Sequence, residues 1–152
     1  MRTLRRTFLM VAFVITAGLA WSAVAAAQTE TKLTASDAAS GDEFGQSVSI
    51  DGDYAIVGAY GDDDGRGSAY IFKRDGTSWT EQAKLTASDA AENDAFGYSV
   101  SIDGDYAIVG AHGNDDDGSG SGSAYVFVRS GTSWAEQAKL TASDAATGDN
   151  FG

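Results

Sequence analysis

The 152-residue chain has no cysteine, no proline and a single histidine, His112. Without cysteine there is no disulfide to staple a small fold and no thiolate to serve as nucleophile or soft metal ligand. One histidine leaves no pair of imidazoles for a metal centre, and His112 replaces a tyrosine, Tyr60, at the same place in a repeated unit. Packing is the plainer role for such a residue than catalysis. Positive charge is also scarce: 10 Lys and Arg stand against 22 Asp and Glu, a net charge of −12. Arg2, Arg5 and Arg6 fall within residues 1–27 and every acidic residue falls beyond them, so residues 28–152 carry seven positive and 22 negative charges, or −15. A surface of that sign repels phosphate backbones and excludes nucleic acid as a partner. It suits cations, high salt or solubility alone.

Long hydrophobic runs are missing except at the start. Arg2, Arg5 and Arg6 precede an apolar stretch from Phe8 to Ala20, and Ala25-Ala26-Ala27 closes it as an A-x-A site. This is the layout of an export signal, expected to be cut between Ala27 and Gln28 and to leave no stable membrane span. The alternative is an uncleaved anchor, since residues 8–27 are long enough to cross a bilayer. "RRTFL" also resembles a twin-arginine signal, with Leu4 and Met10 departing from the usual pattern.

What is abundant is glycine, at regular intervals, and repetition. "KLTASDAA" begins at Lys32, Lys84 and Lys139, spacings of 52 and 55 residues. The extra three residues lie where "GDDDGRGSAY" becomes "GNDDDGSGSGSAY", and an insertion that leaves all else in register marks a surface loop. Each unit reads as four short strands. Phe44–Ile50 alternates, then Asp51-Gly52 signals a type I′ hairpin. Asp53–Tyr60 has Tyr54 and Ile56 facing one way and Ala55, Val57 and Ala59 the other, which implies burial on both faces. An acidic loop, Gly61–Gly67, leads to a third strand, Ser68–Arg74. The turn "DGTS" leads to a fourth, Trp79–Ala87, whose alternation marks a half-exposed outer strand. No helical period follows residue 27. Four antiparallel strands in about 50 residues describe a propeller blade, which buries its faces only against other blades.

"FGQSVSIDGDYAIVGA" and "FGYSVSIDGDYAIVGA", followed by "GSAYIF" and "GSAYVF", resemble the FG-GAP repeat family. The resemblance covers nearly all of residues 32–152 and implies the β-propeller of integrin alpha subunits and of exported bacterial and archaeal proteins. The final proline of the family's name is absent: Gly58-Ala59 and Gly110-Ala111 are followed by Tyr60 and His112. Calcium-binding members carry a D-x-D-x-D-G-x-x-D loop between the first two strands. Here Asp51-Gly52-Asp53 and Asp103-Gly104-Asp105 take that place, too few oxygens in too tight a turn for calcium, so that site does not carry over.

A different cation site is conceivable. Strand direction reverses at each step, so the loop before strand one and the loop between strands two and three open at the same end. They hold Asp37, Asp42, Glu43, Asp62, Asp63 and Asp64 in one copy, and Asp89, Glu92, Asp94, Asp115, Asp116 and Asp117 in the next. This acidic rim either binds calcium or a cationic partner, or is a solvated, self-repelling surface; consecutive aspartates lack the alternate spacing of calcium loops. Trp79 and Trp134 begin equivalent fourth strands and read as core or inter-blade packing. Ser47 and Ser99 lie mid-strand with no Ser-His-Asp arrangement visible. No catalytic residue and no metal ligand is assigned.

The expected organisation is a signal peptide over 1–27, an orphan outer strand and loop over 28–43, repeats over 44–95 and 96–150, and the opening of a third at 151–152. Closed propellers need about four to eight blades. The expected protein is therefore an incomplete ring of about two blades, a piece of a longer chain or a unit that needs further copies. Its expected role is an exported, non-enzymatic scaffold for extracellular binding or adhesion to a protein or glycan. The alternative is the N-terminal part of a secreted enzyme or lectin whose site lies in downstream blades. The expected location is periplasmic, extracellular or cell-surface.

Overall fold

The structure is a computed structural model that describes residues 30–152. The expected cleavage point, Ala27-Gln28, lies outside the described residues. Eight strands form two four-stranded antiparallel meanders. The first blade comprises β1 (Val48–Asp51), β2 (Tyr54–Ala59), β3 (Ser68–Asp75) and β4 (Ser78–Leu85). The second comprises β5 (Phe96–Asp103), β6 (Tyr106–Ala111), β7 (Ser123–Ser130) and β8 (Ser133–Leu140). The fold is all-β, built as an incomplete set of propeller blades. Among the described residues no helix is long and apolar enough to cross a membrane.

The alternating pattern works as expected on β2. Ile56 is buried on one face and Ala55, Val57 and Ala59 on the other. Ile56 joins Ala69, Ile71 and Leu85 and, from the second blade, Phe96, Ile102, Ala107, Val109, Tyr125 and Phe127 in one core. That core is the inter-blade interface, so the blades stack face to face. The opposite face of the first blade, with Ala55, Val57, Tyr70 and Phe72, is covered by Leu33, Ala35 and Phe44 from the segment before β1 and by Trp79. Phe44 stands edge-on to Tyr70 and Phe72, with centroids 5.6 and 6.1 Å away, and Phe96 repeats this over Tyr125 and Phe127 at 5.5 and 6.0 Å.

Three local expectations differ from what the chain adopts. The first strand of the first blade is Val48–Asp51, not Phe44–Ile50; Gly45 has a φ of +97°, and Phe44 packs against Tyr70 and Phe72 on the sheet face. In the second blade the strand does begin at Phe96, but the register slips between Phe96 and Ser99. The β1–β2 turn pairs Asp51 with Tyr54, and of its two central residues only Gly52 has a positive φ; that fits type II′ rather than the type I′ turn expected. The segment expected as an orphan outer strand forms no ladder: among the described residues β1 is the first strand. Lys84 and Leu85 pair with Tyr70 and Ala69, whereas their equivalents Lys32 and Leu33 have no third strand beside them to bond.

Candidate functional site

The loops that precede strand one and link strands two and three do meet at one end of each blade, and a lysine joins them. Lys84, on the last turn of β4, reaches Asp37 at 2.6 Å and Asp62 at 2.6 Å. The Tyr70 hydroxyl donates to Asp37 at 2.8 Å and approaches Asp62 at 3.3 Å, and the Ser68 hydroxyl donates to Asp62 at 2.6 Å. Asp62 is buried. Burial alone would raise its carboxyl pKa, but hydrogen bonds from Lys84 and Ser68 outweigh that and hold it below the ordinary value. The hydrogen bond from Lys84 lowers Asp37 as well. Burial would lower the Lys84 ammonium; the two carboxylates outweigh it and raise it above its usual range. Burial also pushes the Tyr70 phenol upward, so it stays a neutral donor.

The second copy repeats the cluster with different parts. Lys139 binds Asp89 at 2.6 Å, the Tyr125 hydroxyl donates to Asp89 at 2.7 Å, and the Ser123 hydroxyl donates to Asn114 at 2.9 Å. Asn114 occupies the place of Asp62 and cannot carry the second charge. The longer loop supplies it: Asp116 pairs with Lys139. Burial opposes and Lys139 enforces a lowered pKa at Asp89, and the carboxylates raise Lys139 against its own burial.

These clusters account for much of the acidic rim. Asp42, Asp94 and Asp149 accept the backbone N–H of Ala39, Ala91 and Ala146 at 2.6, 2.9 and 2.7 Å, closing the same turn three times, and the first two are buried. Asp63 and Glu92 flank Arg66 at 3.8 and 3.4 Å, which ties the two blades' loops together. Asp115 accepts from the Gly120 N–H within its own loop. Glu43, Asp64 and Asp117 stand exposed. Among the described residues no group of three or more His, Cys, Asp or Glu is placed to hold a metal ion. The turn Asp62–Gly65 has φ of 50° at Asp63 and 58° at Asp64, and its three carboxylates go to different places: Asp62 to Lys84, Asp63 to Arg66, and Asp64 to an exposed position. Nor does the β1–β2 turn fit calcium: Asp53 is paired with Arg74 at 2.8 Å, and Asp51 accepts the Gly104 N–H of the second blade at 2.9 Å. A cleft of about 330 Å³ opens beside Lys84, lined by Asp62, Arg66, Ser68 and Thr86, but its charges already answer one another.

The other singled-out residues have structural partners. The His112 ring lies tilted at 52° against Tyr98 with centroids 4.2 Å apart, and Tyr98 meets Tyr60 edge-on at 5.5 Å. The Trp134 indole donates to Gln82 of the first blade at 3.2 Å and stands edge-on to Tyr54 at 6.3 Å. Arg129 lies over Tyr54, 4.3 Å from its centroid. Ser47 and Ser99 donate to the carbonyls of Gly97 and Gly152.

Those serines mark the joint between units. A Cβ placed on Gly58 would collide with the Gly97 carbonyl, and one on Gly97 with the Ser68 carbonyl, each far inside the 3.0 Å that real Cβ atoms respect. Backbone therefore rests directly on backbone, which only glycine allows. Gly97 also has a φ of +92°. Phe96 bridges Gly67, and Phe151 bridges Gly122 in the same way, with Gly152 against Gly110. The Phe-Gly and Gly-Ala motifs of each unit are thus two halves of one clasp. Sequence reading missed this clasp and the lysine clusters. The signal available for the clusters was the joint recurrence of Lys and Asp in all three "KLTASD" segments.

A family model described as FG-GAP repeat matches residues 28–72, 79–127 and 134–152. No curated protein matches the chain.

Proposed function

Since the chain belongs to the FG-GAP repeat family, we propose that it is an exported, non-enzymatic propeller scaffold that presents its rim loops to an extracellular protein or glycan. The carrying observation is where the reactive side chains stand. Lysine, tyrosine and serine in each unit are bound to aspartate or asparagine side chains of two rim loops, so they fix loop shape instead of facing a substrate. The loop that differs most between the copies, Gly61–Gly67 against Gly113–Gly122, is anchored at both ends by these contacts and by the clasp. A rigid base with a variable loop is the usual arrangement for recognition. Export rests on the arginine-led apolar leader and its A-x-A ending.

Two measurements test this reading. N-terminal sequencing of protein recovered outside the cytoplasm is expected to begin at Gln28; recovery only of chains that retain Met1 would overturn export. Binding to immobilised extracellular glycans and matrix proteins is expected to change when Asp115–Gly120 is replaced by the shorter first-copy loop, in a variant whose β-sheet circular dichroism shows that it still folds. Turnover of ester, glycoside or peptide substrates by the purified protein would overturn the non-enzymatic reading.

A further inference from the structure

The molecule forms one blade-to-blade interface and displays both halves of that same interface unpartnered. In the formed joint, the first blade contributes Tyr54, Ile56 and Ile71 and the second contributes Phe96, Val100 and Ile102. The equivalents of the first set on the second blade are Tyr106, Ile108 and Val126. Tyr106 and Ile108 are exposed, at 53% and 40%. The equivalents of the second set on the first blade are Phe44, Val48 and Ile50. Val48 and Ile50 are 67% and 64% exposed, while Ile102 in the formed joint is 6%. Side chains of the same kind at the same register thus line both open faces, which lie on opposite sides of the two-blade stack.

We propose that these faces join head to tail between copies of this chain, so that Ile108 of one copy packs against Ile50 of the next. The contact is heterologous, because the two faces differ. Such a contact closes into a ring when its rotation permits. The rotation here is the one already taken between the two blades. Rings of about four to eight blades correspond to about two to four copies. Phe151-Gly152 already holds the seat beside Gly122 that Phe44-Gly45 of an incoming copy would take. Lys32–Gly45 and Lys139–Gly152 agree at 12 of 14 positions, so either segment fills the seat and the joint forms by exchanging one for the other. Charge opposes the union, since each copy carries −12; added salt therefore strengthens it.

Sedimentation of the purified protein over a wide concentration range tests this, with I50D and I108D as probes. Both positions are exposed, so neither substitution disturbs the core, and unchanged thermal unfolding confirms that each variant folds. The wild type is expected to form a discrete assembly of two to four copies. Each variant alone is expected to associate about 10- to 100-fold more weakly, from lost apolar burial plus an unpaired charge. An equimolar mixture of the two is expected to give dimers, because I108D keeps an intact Ile50 face and I50D an intact Ile108 face. A wild type that stays monomeric throughout, an assembly indifferent to both substitutions, or a mixture that remains monomeric would each overturn the proposal. A monomeric wild type would assign the faces to a different occupant.

Discussion

The two repeats are nearly the same sequence with unequal surroundings. Ile56 is fully buried and Ile108 is not; Leu85 is 3% exposed and Leu140 39%. The residues are identical and the strand registers match, so the difference comes only from what lies against each blade. A propeller blade does not own its core. It supplies one wall, and its neighbour supplies the other. The polar clusters show the reverse: there the surroundings match and the residues differ. Lys84 is held by two aspartates, Asp37 and Asp62, whereas Lys139 faces a neutral Asn114 and recruits Asp116 from a loop three residues longer. Loss of one carboxylate and lengthening of the loop compensate each other around one ammonium group.

The comparison breaks most sharply at the clasp. Gly58→Val forces a Cβ into the Gly97 carbonyl and must part the blades. It is expected to cost about 4 kcal/mol or more in denaturant unfolding. Gly110→Val meets the Ser99 hydroxyl and the Gly152 carbonyl, the latter in an exposed segment that can give way, and is expected to cost about 1 kcal/mol. Equal costs would mean that the clasp does not hold the blades together. Ile56→Ala should cost about 2–4 kcal/mol because it opens a cavity between blades, and Ile108→Ala less than about 1 kcal/mol. Chemical denaturation of both, at a concentration where the protein is monomeric, checks the ratio.

The smallest contrast is electrostatic. Lys84→Met leaves the buried Asp62 unpaired and should cost about 1–3 kcal/mol, a range discounted for the partial exposure of Lys84 and Asp37. Lys139→Met, with an amide in place of the buried carboxylate and an exposed Asp116, should cost about half as much. The lowered aspartates contribute stability above about pH 4 that is lost as pH falls through their folded values. The raised Lys84 contributes stability that is complete below about pH 10 and is lost as pH rises past it. Tyr70 acts in the same direction, because its phenol stays neutral in the fold after it would ionise in the unfolded chain. Thermal unfolding across pH is therefore expected to fall off at both ends, and Lys84→Met should flatten both limbs.

Blade number, strand order and the half-exposed outer strand were legible in the sequence, because period-2 alternation and the 52-residue repeat both depend on the local chain. The clasp was not, because the strand pattern continues through Phe44 and Gly45 while the backbone departs from it at a positive φ. Beside β4 the register shifts between Ile71 and Phe72, and a bulge leaves no mark in polarity. Lys84 carries no local signal of its ion pairs, since its carboxylates are 22 and 47 positions away in the chain. The rim was correctly placed at one end, but which of its carboxylates are paired within it was not legible, for the same reason.

The clasp between Gly58 and Gly97 is main chain against main chain, with the Ser47 hydroxyl as its one side-chain bond. A unit that keeps its Phe-Gly and Gly-Ala pairs presents the same backbone seat to each neighbour, and the apolar faces of the two blades complete the fit. An architecture joined in this way can lengthen one unit at a time, because each added blade meets its neighbour through the same backbone seat and the same kind of face.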